Sequence, residues 1–154
     1  MILVSACLWG LTTRYDGRHS LCQGLKDKLA GQNVLPACPE ELLGVPRQPV
    51  AFVGASRGCE GQELLDGKAR LLTVNGADYS QAFIDGARRV LQLALEHKVH
   101  TAYLKDRSPS CGYDPQGLNP KGGPALGVLT TLLLHHGIRV HEVRADSCAN
   151  TADN

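Results

Sequence analysis

Short apolar runs that alternate with helical segments constrain the fold of this chain more than any other feature. The first run, residues 1–6, is long enough for a buried strand and too short for a helix. Runs at 33–37, 99–105 and 138–143 have the same character, and each follows a segment with helical signals. Strands separated by helices predict a parallel sheet covered on both faces. We therefore expect a single α/β domain, Rossmann-like and three-layered, with a mainly parallel sheet.

Two of the helical segments carry start signals. A capping-box pattern at Ser20–Gln23 predicts a helix that begins at Ser20 and ends near Gly31. Residues 78–81 predict the start of a second and stronger helix. The apolar residues at helical spacing that predict its buried face are Phe83, Ala87, Val90, Leu91 and Ala94.

Proline and glycine mark the remaining boundaries. Pro124 suits the first turn of a third helix, which Gly137 ends. Residues 44–75 are interrupted by prolines and glycines, and they predict two short strands, 50–53 and 69–74, that flank a mobile loop. We expect the folded domain to cover 1–143 and a polar C-terminal tail to follow at 144–154.

Composition excludes several classes of function. The hydrophobic fraction of 43% and the charged fraction of 20% are ordinary for one soluble domain. A net charge of +1 gives no reason to expect binding to a nucleic acid polymer or to a membrane. The longest apolar run, 126–134, is too short to span a bilayer, and the N-terminus lacks the basic lead-in of a signal peptide. We expect a cytoplasmic protein.

Three of the six cysteines follow predicted strands. Cys7, Cys38 and Cys111 each lie just beyond a strand, with Pro or Gly close by. Ligands of open α/β sheets bind in the crevice outside the carboxyl ends of the strands, so these three thiols are expected on one rim. In a reducing cytosol such cysteines indicate metal binding or thiol chemistry rather than disulfides. The cysteines expected to take no part are Cys22, Cys59 and Cys148.

Three thiolates on one rim suit a metal centre with a free coordination position. They could hold a [4Fe-4S] cluster with one open iron, or zinc with water as the fourth ligand. They could also be buried or merely surface thiols, because free cysteine often packs as a small hydrophobe. The spacing of the cysteines leaves these alternatives open.

Two further side chains near the cysteines could carry chemistry. Glu40 lies two residues after Cys38, where it could act as a general base or simply occupy the first turn of a short helix. Ser108 and Ser110 precede Cys111 and could donate hydrogen bonds to a cluster sulfide or a substrate, or only form a turn. The residues to which the sequence assigns no definite role are Arg14, Glu41, Arg47, Lys105 and Ser110.

Six segments together resemble one known family. They are Val4–Leu8, Arg14–Gly17, Cys38–Glu40, Gly67–Arg70, Phe83 with Gly86 and Ala87, and Leu104–Gly112. In this order they are similar to the thiouracil desulfidase-like (TudS-like) family, over residues 1 to about 143. The blocks Ser5-Ala6-Cys7 and Ser108-Pro109-Ser110-Cys111-Gly112 are the most specific parts of the match.

The resemblance implies an enzyme with a [4Fe-4S] cluster held by Cys7, Cys38 and Cys111. In the family's proposed mechanism, the sulfur of a thiolated nucleobase binds the open iron and water replaces it, releasing hydrogen sulfide without net redox change. Glu40 matches a carboxylate thought to handle protons, and Ser108 matches a serine near the substrate. The implied partners are a small thiolated substrate and the cluster-assembly machinery.

The sequence departs from the family pattern in two places. Residues 41–47 are shorter and more apolar than usual, and 113–123 also differ. Both segments are expected to border the crevice, so they affect the substrate assignment more than the cluster assignment. The alternatives are a zinc-binding hydrolase, a structural zinc protein, and a non-enzymatic module that binds metal or sulfur through the same three cysteines.

Overall fold

The computed structural model describes residues 1–11 and 20–145. Within these ranges, the strands are β1 (Ile2–Ser5), β2 (Val34–Ala37), β3 (Val50–Val53), β4 (Arg70–Thr73), β5 (Thr101–Lys105) and β6 (Arg139–Val143). The α-helices are α1 (Gln23–Lys28), α2 (Glu60–Leu65), α3 (Ser80–Glu96) and α4 (Val128–His135). Two short 3-10 helices follow: Ala6–Trp9 begins directly after β1, and Pro39–Leu42 begins one residue after β2.

The main sheet has four strands in the order β2-β1-β5-β6, and all of them are parallel. Alternate residues of β1 face opposite sides of this sheet. Leu3 belongs to the core formed with α3 and α4, whereas Ile2 and Val4 belong to a second core with Leu25 of α1. The expected α/β domain with a mainly parallel sheet and helices on both faces is therefore confirmed.

Strands β3 and β4 form a separate antiparallel pair. Both strands were expected, but the mobile loop predicted between them is wrong, because α2 lies there. Glu60, at the start of α2, is buried, and its carboxylate accepts hydrogen bonds from the backbone N–H groups of Gly58, Ala125 and Leu126. Leu64 of the same helix is fully buried. Hydrogen bonds and packing with distant residues thus fix a segment whose glycines predicted mobility.

Helix α3 agrees with its prediction. The backbone N–H of Ser80 donates to Asp78 Oδ1 at 2.9 Å, which supports the first turn. Helix α3 ends at Glu96. All five residues expected on its inner face are buried, namely Phe83, Ala87, Val90, Leu91 and Ala94. This face packs against the main sheet. Helix α3 is the longest element of the core described by the structure.

Two predicted helix starts are wrong. Helix α1 begins at Gln23 rather than Ser20, because the N–H groups of Ser20 and Cys22 bond to the carbonyls of Cys7 and Leu8. Helix α4 begins at Val128, four residues after Pro124. Gly137 follows its C-terminal end with a φ of 75°, as expected for a helix stop.

The predicted start of α4 failed because the preceding segment is extended. The carbonyl of Ala125 accepts from the N–H of Asp114, and the N–H of Gly127 donates to the carbonyl of Gly112. Among the described residues, no helix has both the length and the apolar character needed to cross a membrane. Most of the predicted C-terminal tail, from 146 onward, lies outside the described residues, and the boundary at 143 stays a prediction.

Candidate active site

The three expected cysteines lie at the carboxyl ends of three neighbouring strands. Cys7 is in the first 3-10 helix after β1, Cys38 directly follows β2, and Cys111 is in the loop after β5. Cys7 and Cys111 are buried and Cys38 is half-buried, and all three are free thiols. They line one cavity of about 230 Å³. The common rim expected from the sequence is therefore present in the structure.

Other expected residues line the same cavity. Glu40, Arg47, Lys105 and Ser108 contribute polar groups, and Phe83 of α3 contributes part of the apolar wall. A mostly apolar wall with a few convergent polar groups is typical of small-molecule sites. The structure thus brings together both predicted catalytic residues and all three predicted ligands.

The loop that carries Cys111 is held by many short-range bonds. Ser108 Oγ accepts from the N–H groups of Ser110 and Cys111, both at 3.1 Å. The carbonyl of Ser108 accepts from the N–H of Gly112 at 2.8 Å. Gly127 approaches the carbonyl of Ser110 so closely that a Cβ there would lie 2.5 Å from the oxygen. Ser108 is therefore a turn-forming residue as well as a cavity residue, and its hydroxyl hydrogen can still be donated.

Ser110 differs from Ser108 in its surroundings. It is fully buried and is not among the residues that line the cavity, and its hydroxyl has no hydrogen-bond partner in the described structure. Its carbonyl accepts from the N–H groups of Leu129 and Thr130 in α4. Ser110 therefore connects the Cys111 loop to a helix rather than facing the cavity.

The second 3-10 helix positions Cys38 and Glu40. Cys38 immediately precedes this helix and Glu40 lies in its first turn. Glu40 Oε2 contacts Arg47 Nη2 at 2.8 Å, and each side chain is 21% exposed. Glu40 is therefore a residue of the first helical turn that also lines the cavity, and its role as a general base stays a prediction. Glu41 is exposed.

The thiols of the site are hard to ionise without a bound cation. Burial raises the pKa of Cys7 to about 11, with smaller contributions from Cys38 and Glu40, while Lys105 opposes the shift. Burial and Glu40 also raise the pKa of Cys38, against the effect of Arg47. Burial raises the pKa of Cys111 most strongly. A metal centre bound by these thiolates would release protons as it forms, since the ligands must be deprotonated.

The role of Ser5 could not be found from the sequence. Ser5 is buried at the end of β1, and its Oγ accepts from the N–H of Lys105 at 3.0 Å. A hydrogen bond from this hydroxyl to Cys111 lowers the pKa of the thiol, against the larger effect of burial. Ser5 therefore couples the ends of two neighbouring strands to one of the expected ligands. Its place two residues before Cys7 marks it as a neighbour of the site, but its bond to Lys105 depends on the pairing of β1 with β5.

The donor set of the site is three thiols, a ligand type that binds both iron–sulfur clusters and zinc. Within 1–11 and 20–145, no group of three or more His, Cys, Asp or Glu side chains is arranged to hold a metal ion. Cys7, Cys38 and Cys111 line one cavity, and the charges of Cys38 and Cys7 contribute to the raised pKa of Cys111.

Some candidate residues lie elsewhere. Cys59 is an exposed thiol at the start of α2, and Cys22 is buried in the core that contains α1. Neither lines the cavity, as expected. Arg14 and Cys148 lie outside the described residues.

Fold and site together define a Rossmann-like α/β protein with three thiols at the carboxyl edge of its sheet. The chain belongs to the 2-thiouracil desulfurase family, whose sequence model matches residues 2–144. It is similar to a solved structure described as the [4Fe-4S]-dependent thiouracil desulfidase TudS, with 31% identity and a TM-score of 0.70. That match covers 98% of this chain and 94% of the other.

A second relative is the uncharacterized protein YbbK of Bacillus subtilis (strain 168). It is 36% identical over 114 residues, which is 73% of each chain. The family resemblance inferred from the sequence is confirmed, and the family supports an enzyme.

Proposed function

We propose that this protein is an iron–sulfur-dependent desulfidase that removes sulfur from small thiolated compounds such as 2-thiouracil and releases hydrogen sulfide. The observation that carries the proposal is the position of Cys7, Cys38 and Cys111 as free thiols around one cavity. Membership of the 2-thiouracil desulfurase family and similarity to a [4Fe-4S]-dependent enzyme support it.

In the proposed site, the three cysteines hold a [4Fe-4S] cluster, and its iron without a protein ligand supplies a Lewis acid for the substrate's sulfur. The reaction consumes one water. The carbon–sulfur bond breaks, a carbon–oxygen bond forms, and both water protons end on the released sulfide. No electron is gained or lost overall.

The protein groups supply positioning and proton transfer. Glu40 faces the cavity and takes a proton from the attacking water in this proposal. The Ser108 hydroxyl, whose oxygen is already fixed by two backbone N–H groups, donates to the substrate. Lys105 adds positive charge beside Cys7, which favours the thiolate over the thiol.

The decisive experiment is purification without oxygen, followed by measurement of iron and sulfide and by assay with 2-thiouracil. We expect a brown protein with about four irons and matching sulfide per chain. It should convert 2-thiouracil to uracil and hydrogen sulfide over many turnovers. A colourless protein that contains only zinc would support the zinc alternative instead. Binding of 2-thiouracil without repeated turnover would indicate a non-enzymatic module.

The proposal also implies partners. A cluster with an open iron has to be delivered by cluster-assembly proteins, and we propose that this loading takes place in the cytoplasm. Expression with and without added assembly proteins tests this step, because it should change the iron content per chain and leave the fold unaltered.

A further inference from the structure

We infer that Arg47 is a positioning residue for Glu40, and that Tyr79 fixes the segment that carries Arg47. The inference rests on the proposed function, because it concerns the carboxylate assigned there to proton transfer. Arg47 lies in the segment 44–49, which we call the Arg47 loop, and it ends the stretch 41–47 in which the sequence departs from the family pattern.

The contact between Arg47 and Glu40 lies inside the site. Arg47 Nη2 is 2.8 Å from Glu40 Oε2, and both side chains line the cavity. Each is only 21% exposed, so solvent screens this pair less than a pair on the open surface. The contact uses one carboxylate oxygen, and a carboxylate can accept through its second oxygen independently.

The Arg47 loop is attached to the core through one tyrosine. The Tyr79 hydroxyl donates to the carbonyl of Pro46 at 2.7 Å and accepts from Gln48 Nε2 at 3.4 Å. Arg47 is thus held between two neighbours that both bond to Tyr79. Tyr79 is itself buried, and its backbone N–H donates to the carbonyl of Leu71 in β4.

A continuous set of contacts therefore runs from the β3–β4 pair through Tyr79 and Arg47 to Glu40. A flexible carboxylate has several rotamers, and catalysis requires the one that faces the attacking water. An ion pair from a fixed loop restricts Glu40 to that orientation. The alternative is that the pair only stabilises the fold.

Activity measurements separate these two roles. With full cluster content, Arg47→Met should lower kcat about tenfold with little change in KM, because orientation rather than binding is lost. Arg47→Lys should restore part of the loss. Tyr79→Phe should also lower kcat, as Arg47→Met does. In a Glu40→Gln background, Arg47→Met should cause no further loss, since Arg47 acts through Glu40.

A matched control is available outside the site. Arg70 and Asp78 form an exposed pair at 4.0 Å, with side chains 71% and 47% exposed. Arg70→Met removes a similar charge contact and should leave kcat unchanged.

A second measurement does not depend on the cluster. In the cluster-free protein, the melting temperatures of Arg47→Met, Glu40→Gln and the double variant should be non-additive, as expected for side chains in contact. Additive shifts would overturn the inference. This test checks the contact itself even if Glu40→Gln turns over too slowly for the kinetic comparison, and the kcat of Arg47→Met and Arg47→Lys then separates positioning from a purely structural role.

Failure of the proposed function and failure of the positioning role of Arg47 give different results. If Glu40→Gln stays fully active, the proton-transfer role in the proposed function is wrong. If Arg47→Met loses iron, or lowers kcat equally with and without Glu40→Gln, the positioning role is wrong while the proposed function stands. If the wild-type protein has no desulfidase activity, the unfolding comparison still tests the contact.

Discussion

Gly86 of α3 lies directly against the main-chain carbonyl oxygen of Pro39. A Cβ at position 86 would collide with this oxygen. Pro39 stands between Cys38 and Glu40, so α3 supports the backbone of both residues at close range. Because Gly86 has no side chain, the second 3-10 helix can pack in direct contact with α3.

Gly86→Ala should displace this 3-10 helix. Gly→Ala within a helix ordinarily stabilises by about 0.5–1 kcal/mol, but overpacking costs about 1–3 kcal/mol, so we expect net destabilisation. Denaturant unfolding of the cluster-free protein measures the change, and iron content measures the effect on Cys38. Arg88→Ala, at an exposed position of α3, is the control. A Gly86→Ala protein that is more stable and fully loaded would contradict the prediction.

Replacement of the cavity cysteines should abolish cluster retention. We expect Cys7→Ser, Cys38→Ser and Cys111→Ser each to yield protein with little iron or sulfide after anaerobic purification, because each removes one of the three proposed ligands. Cys59→Ser is the matched control, since Cys59 is a free and exposed thiol away from the cavity. Normal iron content in any of the first three variants would remove that cysteine from the ligand set.

The cavity thiols should react slowly with alkylating reagents in the cluster-free protein. Burial raises the pKa of Cys7 to about 11, and only the thiolate reacts. A raised pKa means that the thiolate fraction is small at neutral pH and grows about tenfold per pH unit until the pKa is reached. Mass spectrometry after iodoacetamide treatment should show Cys59 labelled first at pH 7.5, and Cys7 labelled faster at pH 9.5. Equal labelling at pH 7.5 would argue against a buried site.

Ser108→Ala should loosen the Cys111 loop. The change removes the acceptor for two backbone N–H groups, at a cost of about 1–3 kcal/mol if they remain buried without partners. We expect lower thermal stability and lower iron content, whereas Ser108→Thr keeps the hydroxyl and should restore both. If Ser108→Ala retains stability and iron but loses turnover, its hydroxyl acts on the substrate more than on the loop.

The parts of the fold that could be predicted are those with local signals. The apolar run 1–6 and the helical spacing from Phe83 to Ala94 needed no information from distant residues. Helix α2 was missed because Glu60 bonds to backbone groups more than sixty residues away. The start of α4 was misplaced because Ala125 and Gly127 bond to Asp114 and Gly112 instead of opening the helix.

In the candidate site too, the features with a local sequence signal could be predicted and those that depend on distant residues could not. Strand ends placed Cys7, Cys38 and Cys111 on one rim, because parallel strands share their carboxyl edge. The pairing of Arg47 with Glu40 had no such signal, since it depends on how the Arg47 loop folds back. The bond between Ser5 and Lys105 joins residues 100 positions apart and needed the strand order β1-β5.

Strands β2, β1 and β5 are neighbours in the sheet, so the backbone hydrogen bonds between them fix how far apart the strand ends before the three thiols lie. Neighbouring strands in any sheet lie about 4.8 Å apart, whatever their sequence. This strand spacing sets the starting separation of the three thiols, and the loop that carries Cys111 and the 3-10 helix that carries Cys7 set their final positions. An engineer who places one cysteine after each of three adjacent strands in an unrelated α/β scaffold would start from the same strand spacing.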